Sequence, residues 1–211
     1  MELLKQFKTN LIGLLIFLMP FGVLGQQNIS NIINAFQQSY INESTGEYAD
    51  AIDVLKKVYE EDSYEINLRL GWLTYQSGLF SEALAFYNKA IELMPYSIEP
   101  RWGVVMPASA LGNWEMVINQ YEKILNINPN NSIAHHRLGL IYYGRDEFQE
   151  AYKHFEKVVN LYPFDYDGLT MLAWTSFNLG KQREAIVLFR KALMHTPSGS
   201  SALKGLDLLE K

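Results

Sequence analysis

Residues Ser132–Pro163 read SIAHHRLGLIYYGRDEFQEAYKHFEKVVNLYP. Leu138, Gly139 and Tyr142 share one face of a first short helix, and Ala151, Phe155 and Val158 recur at helical spacing in a second. A turn around Gly144–Glu147 separates them. Pro163, with φ fixed and no N–H to give, ends the second helix. Neither helix can bury its apolar face alone, so the pair requires neighbours of the same kind.

The sequence supplies them. Pro95, Pro129, Pro163 and Pro197 stand 34 residues apart. In the same register run small residues of the first helix (Gly71, Gly139, Ala173) and of the second (Ala83, Ala151, Ala185), the rings of Tyr87, Tyr121, Phe155 and Phe189, and the series Ala90, Ile124, Val158, Ala192. Gly78, Gly112 and Gly180 mark the turns, with Asp146 in the fourth copy. The set resembles the tetratricopeptide repeat (TPR) family, whose unit is 34 residues long with a W…LG…Y…A…F…A…P pattern. That resemblance implies an all-α fold. It would be a right-handed superhelical α-solenoid of about five helix-turn-helix units closed by a C-terminal capping helix.

The repeats span 64–97, 98–131, 132–165 and 166–199, preceded by a degenerate copy over about 30–62. In that copy Ile32, Ile33, Phe36 and Tyr40 suit one helix face, Asn42–Gly46 reads as a turn, and Ala51, Leu55 and Val58 lie on a second helix. With no linker between units, 26–211 reads as one solenoid. Residues 200–211 form its cap, with Leu203, Leu206 and Leu209 inward and Ser200 or Ser201 capping the helix. Gly139 and Ala151 are expected to face each other. The third copy departs: Val105 and Val117 fill the small positions, and Pro107 falls inside a helix, where a kink is expected.

Met1–Gly25 differs in kind. Lys5 and Lys8 precede the apolar run Leu11–Leu24, and Val23-Leu24-Gly25 places small residues ahead of Gln26. This is the layout of a secretory signal peptide over 1–25. The rival reading is an uncleaved anchor, against which stand the shortness of the run and Pro20 within it. Either way the repeats are expected outside the cytoplasm, in the periplasm or cell envelope. Membrane contact would then come only through residues 1–25, if they are retained.

Hydrophobic residues make up 48% of the 211 and charged ones 19%, the balance of an ordered chain. The net charge of −5 offers no electrostatic footprint for nucleic acid. The absence of cysteine removes disulfides, thiolate metal sites and a Cys nucleophile. Adjacent His135 and His136 diverge on a helix, so no zinc set converges. There is no phosphate loop and no nucleophile elbow. No enzyme, cofactor or metal is expected.

The family resemblance implies a concave groove lined by the first helix of each repeat. Carried onto this chain, its positions give Tyr40, Trp72, Tyr75, Trp102, Met106, His136, Tyr143, Trp174 and Phe177 as partner-binding candidates, with Arg69 and Arg137 at a neighbouring position. Phe36, Leu68 and Leu140 fall in the same set, whereas Trp114 falls at the start of a second helix. Each ring could instead pack between helices. The Lys/Asn carboxylate clamp of chaperone-binding relatives is missing: Leu68, Trp102, His136 and Thr170 occupy one of its positions, and Trp72, Met106, Leu140 and Trp174 the other. The resemblance therefore implies an exported, noncatalytic scaffold gripping a protein or peptide by aromatic and apolar contacts, with Arg69 and Arg137 available to carboxylates. A carbohydrate- or peptidoglycan-binding module using the same rings is the alternative.

Overall fold

One backbone device closes each helical pair. The N–H groups of Glu47, Leu79, Asn113, Glu147 and Lys181 donate to the carbonyls of Asn42, Thr74, Ala108, Tyr142 and Ser176, each bond spanning five residues. This is the six-to-one bond of a helix ended by a left-handed residue. The left-handed positions are Gly46, Gly78, Gly112 and Gly180, with φ of 81°, 77°, 71° and 73°, and Asp146 with φ of 60°. The sequence ladder of turn residues is thus a ladder of positive φ, and Asp146 alone carries a side chain there. A Cβ in this region costs about 1 kcal/mol or more relative to glycine. Asp146→Gly is expected to stabilise the chain by about 1 kcal/mol, read as a higher urea midpoint at unchanged slope; an unaltered midpoint would show that the turn holds aspartate without strain.

The computed structural model describes residues 28–210. The reading of Met1–Gly25 lies outside them. The described chain is helical: α1 (28–44), α2 (Tyr48–Lys56), α3 (Tyr64–Gln76), α4 (Phe80–Leu93), α5 (Glu99–Ala110), α6 (Trp114–Ile127), α7 (Ser132–Gly144), α8 (Phe148–Leu161), α9 (Tyr166–Asn178), α10 (Gln182–His195) and α11 (Ser200–Leu209). It divides into two compact units between Pro95 and Tyr96. Side chains cap several starts: Ser63 Oγ accepts from Ile66 N–H, Asn131 Oδ1 from Ala134, Asp165 Oδ2 from Gly168 and Asn113 Oδ1 from Met116. In each proline-marked repeat the second helix stops two residues before its proline. α5 continues through the buried Pro107 to Ala110.

In the first unit α1 runs to residue 44, so Asn42–Ser44 are helical and only Thr45-Gly46 turn. Its buried residues are Ala35 and Ser39, with Phe36 partly buried; Ile33 and Tyr40 face out, against the expected face. Ala51, Ile52 and Leu55 of α2 pack with Ile66, Leu70 and Leu73 of α3. Asn67, fully buried, donates to the carbonyls of Glu61 and Ser63 and accepts from the Tyr59 hydroxyl, which satisfies the backbone of the link into α3.

In the second unit the repeat positions Val117, Ala151, Ala185, Tyr121, Phe155, Phe189, Ile124, Val158 and Ala192 are all buried. The small residue of a first helix makes room for a ring. A Cβ built on Gly139 would sit 2.7 Å from the Phe155 ring, so that ring, rather than the Ala151 methyl, is its nearest neighbour. Ala151 instead shares a buried group with Phe155 and Leu172. The last helix follows the same rule. Ala202 and Gly205 turn inward on α11, Gly205 against Phe189, while Leu203 points to solvent. Leu206 and Leu209 pack inward as expected. Gly199 stands at the N-cap without a side-chain bond, and Ser201 instead accepts a hydrogen bond from Trp174.

Candidate functional site

The candidates of the first unit form one structural knot. Arg69, buried on α3, pairs its guanidinium with Glu43 at 2.6 Å, donates through Nε to Ser39 Oγ at 3.2 Å, and lies 3.8 Å from the centre of the Tyr40 ring. Trp72 donates its indole N–H to the same Glu43 carboxylate. Burial pushes the Glu43 carboxyl up, but the hydrogen bonds from Trp72 and Arg69 and the charge of Arg69 outweigh it and hold it below the usual carboxylate range. Tyr75 fills between Trp72 and Phe80. Arg69 and Trp72 therefore spend their polar groups fastening α1 to α3. Glu43 and Ser39 complete the knot; sequence pattern alone puts Glu43 in a turn, whereas α1 carries it in its last helical residues.

Trp174 is likewise engaged. Its N–H donates to Ser201 Oγ at 2.9 Å, and its ring meets Phe189 and Phe177 edge-on at 5.1 and 5.7 Å. Tyr143 packs against Phe148 and accepts from Asn178. Trp102 meets Tyr121 at 5.4 Å, and Met106 follows on the same helix, half-buried.

His136 and Arg137 line open space. His136 shares a cleft of about 400 Å³ with Ser132, Arg137, Tyr162, Asp165 and Asp167, and its ring lies edge-on to Phe155 at 5.7 Å. Burial, joined by the Arg137 charge, lowers its pKa against the pull of Asp167 and Asp165. Arg137 also lines a larger cleft of about 570 Å³ between α5, α6 and α7. Val117 and Tyr121 are buried in its wall; Trp114, Leu140 and Ile141 add apolar surface, and Ser109, Gly144 and Arg145 complete it. Trp114 is 48% exposed.

By the family register Trp114 lies outside the groove, on the second-helix face that is the alternative binding surface, and Arg145 has no site role. A legible signal existed: Arg137, Ile141 and Gly144 recur at i, i+4 and i+7 along α7, one stripe of that helix. The structure also joins two histidines that the sequence kept apart. His135 Nδ1 and His154 Nδ1 are 3.0 Å apart, and His135 Nε2 lies 3.1 Å from the Pro129 carbonyl. The carbonyl calls for a proton on His135 Nε2, and with one proton on that ring the His–His bond runs from His154 Nδ1–H to His135 Nδ1. Among the described residues no three His, Asp or Glu side chains gather as a metal site, and no helix is long and apolar enough to cross a membrane.

Profiles of the tetratricopeptide repeat match residues 40–98, 132–165 and 166–197, together more than half of the chain. Similar sequences include the TPR repeat-containing protein YpiA of Bacillus subtilis, 25% identical over 167 residues, and TPR repeat-containing protein MJ1428 of Methanocaldococcus jannaschii, 25% identical over 149. These alignments take in 76% and 64% of this chain. The chain spans only 39% and 25% of the length of those relatives. Among solved structures, a tetratricopeptide repeat protein from Parabacteroides merdae superposes with a TM-score of 0.70 at 20% identity, covering 85% of this chain and 72% of the other. The MamA protein gives 0.67 at 22%, covering 78% and 91%. YrrB, described as a TPR protein with an unusual peptide-binding site, gives 0.67 at 16%, covering 89% and 97%. The fold is therefore that of the TPR α-solenoids, and with the repeat profiles and the ladder of turns and buried rings in agreement, the chain belongs to the tetratricopeptide repeat family.

Proposed function

We propose that this chain is an exported, noncatalytic adaptor that binds a protein or peptide partner in a cell-envelope assembly. One observation carries the binding part: the α5–α6–α7 cleft opens about 570 Å³ of largely apolar surface around a half-exposed tryptophan. Clefts of this size, with an aromatic anchor and few polar groups, suit side chains of a partner. The fold supports the reading, since YrrB, which shares it, is described as having a peptide-binding site. Export rests on the layout of Met1–Gly25, and the noncatalytic part on a sequence without nucleophile, metal-ligand or phosphate-loop motifs. The glycan alternative would use the faces of the same rings, of which Trp72 and Trp174 already have their indole N–H groups bonded within the fold.

A photo-crosslinking residue at Ile141, inside the cleft, is expected to trap one discrete partner in envelope-containing cells; the same residue at the exposed Val187 is expected to trap none. Equal capture at both positions, or capture at neither, would remove the cleft as the binding surface. N-terminal sequencing of the exported protein is expected to begin at Gln26. An intact Met1 on a membrane-bound chain would establish an anchor instead.

A further inference from the structure

Resting on the partner-binding reading above, we propose that the α5–α6–α7 cleft takes a peptide segment carrying an apolar side chain next to a carboxylate. Trp114, Leu140 and Ile141 receive the apolar group, and Arg137 and Arg145 bind the carboxylate.

The apolar half follows from the lining. Val117 and Tyr121 are buried beneath, at 1% and 5% exposure, so that wall is fixed by the packing of α6. Over it stands Trp114, the first residue of α6, with half its surface in water. Half of this rigid ring stays open beside Leu140 and Ile141, and among the described residues it makes no aromatic ring contact and no side-chain hydrogen bond. Trp102, Trp72 and Trp174, by contrast, each find ring or hydrogen-bond partners within the fold.

The charged half follows from what the two arginines lack. Arg137 and Arg145 line the cleft and are exposed, and neither side chain makes a hydrogen bond or ion pair among the described residues. Some cations of the chain have acidic partners, as Arg69 has Glu43 and Lys89 has Glu61, and others such as Lys123 and Arg183 stand in water without one among the described residues; what sets Arg137 and Arg145 apart is that both line one apolar cleft. No acidic residue lines this cleft. Asp165 and Asp167 share the neighbouring smaller cleft with Arg137, yet neither pairs with it. In a chain of net charge −5, two free guanidiniums beside an apolar surface without a carboxylate of its own are complementary to an acidic ligand. Guanidinium is also the group that grips a carboxylate through two parallel hydrogen bonds. Arg145 entered the site through helix termination, since it is the C-cap of α7, beside the left-handed Asp146.

The test uses the full exported chain and a displayed library of random dodecapeptides with free C-termini. Peptides enriched on the wild type are expected to carry an aliphatic or aromatic residue close to Asp, Glu or the terminal carboxylate. A synthesised winner is expected to bind roughly tenfold or more weakly to Trp114→Ala, and likewise to the Arg137→Gln/Arg145→Gln double variant. All three residues are exposed, so melting should be unchanged. Raising the salt should weaken wild-type binding and leave the residual binding of the double variant unaffected. Amidating the winner's C-terminus tells a terminal carboxylate from an acidic side chain. Winners without any carboxylate, or full binding by the double variant, would overturn the inference while leaving the adaptor reading intact. No enrichment at all would also overturn it, and the Ile141 crosslink then decides the adaptor reading separately.

Discussion

Phe155→Ala is expected to cost about 3–5 kcal/mol of stability. Phe155 is fully buried on α8 and fills the space left by Gly139 on α7; it also packs with Ala151 and with Leu172 on α9. Gly139 has no side chain that could move into the void, and Ala151 has only a methyl. Leu172 belongs to the next helical pair, so its collapse would disturb that contact too. His136 would lose the ring edge at 5.7 Å. Stability in a repeat protein is close to a sum of units and their interfaces, and this ring serves both. Urea unfolding followed by circular dichroism reads the loss. A change below about 1 kcal/mol would mean that the repeat register assigned to α7 and α8 is wrong.

Acidification is expected to destabilise the chain through His154, by about 2 kcal/mol between pH 7 and pH 4 once solvent screening of this half-buried ring is allowed for. Burial pushes this imidazole down to about 4; the neighbouring His135 and Lys153 work in the same direction, and Glu150 opposes them. Tyr142 lies parallel to the ring, 5.6 Å between centres, and covers part of it. The unfolded chain titrates this histidine near 6.5, so between the two values the unfolded state binds more protons. The contribution is complete above about pH 6.5, declines as the pH falls, and is gone below about 4. Carboxylates add their own dependence, so the quantity to measure is the difference between wild type and His154→Gln. That difference is expected to move against the wild type by about 2 kcal/mol over the interval; a flat difference would show that His154 titrates as it does in water.

The parts of the fold that were legible in the sequence are those set by backbone necessity. Gly78, Gly112 and Gly180 recur because the chain must enter the left-handed region there, and the register found Asp146 at the same position although it is not a glycine. Phe155 and Phe189 recur because one ring fits each interhelical space. Pairings between repeats were not legible, because periodicity says which face a residue takes and not which atom it meets. Arg69, a candidate ligand contact by register, stands paired with Glu43. Leucine spacing puts Leu203 inward, but Gly205 and Ala202 fill the space that Phe189 leaves, and their small size decides the cap. The site depended on the same missing information. Trp114 and Arg145 come from a helix start and a helix end, which α7 brings to one cleft with Arg137.

The central claim is that the second unit recruits a partner through the α5–α6–α7 cleft. Its most direct test is to titrate the isotope-labelled chain with the segment recovered from the Ile141 crosslink and to map the amide and indole resonances. The account predicts that the largest shifts fall on the Trp114 indole and on Leu140, Ile141 and Arg145, with the resonances of Trp72 and Trp174 nearly unmoved. Largest shifts at Tyr40, Trp72 and Tyr75, or at Trp174 and Phe177, with Trp114 unaffected, would contradict it.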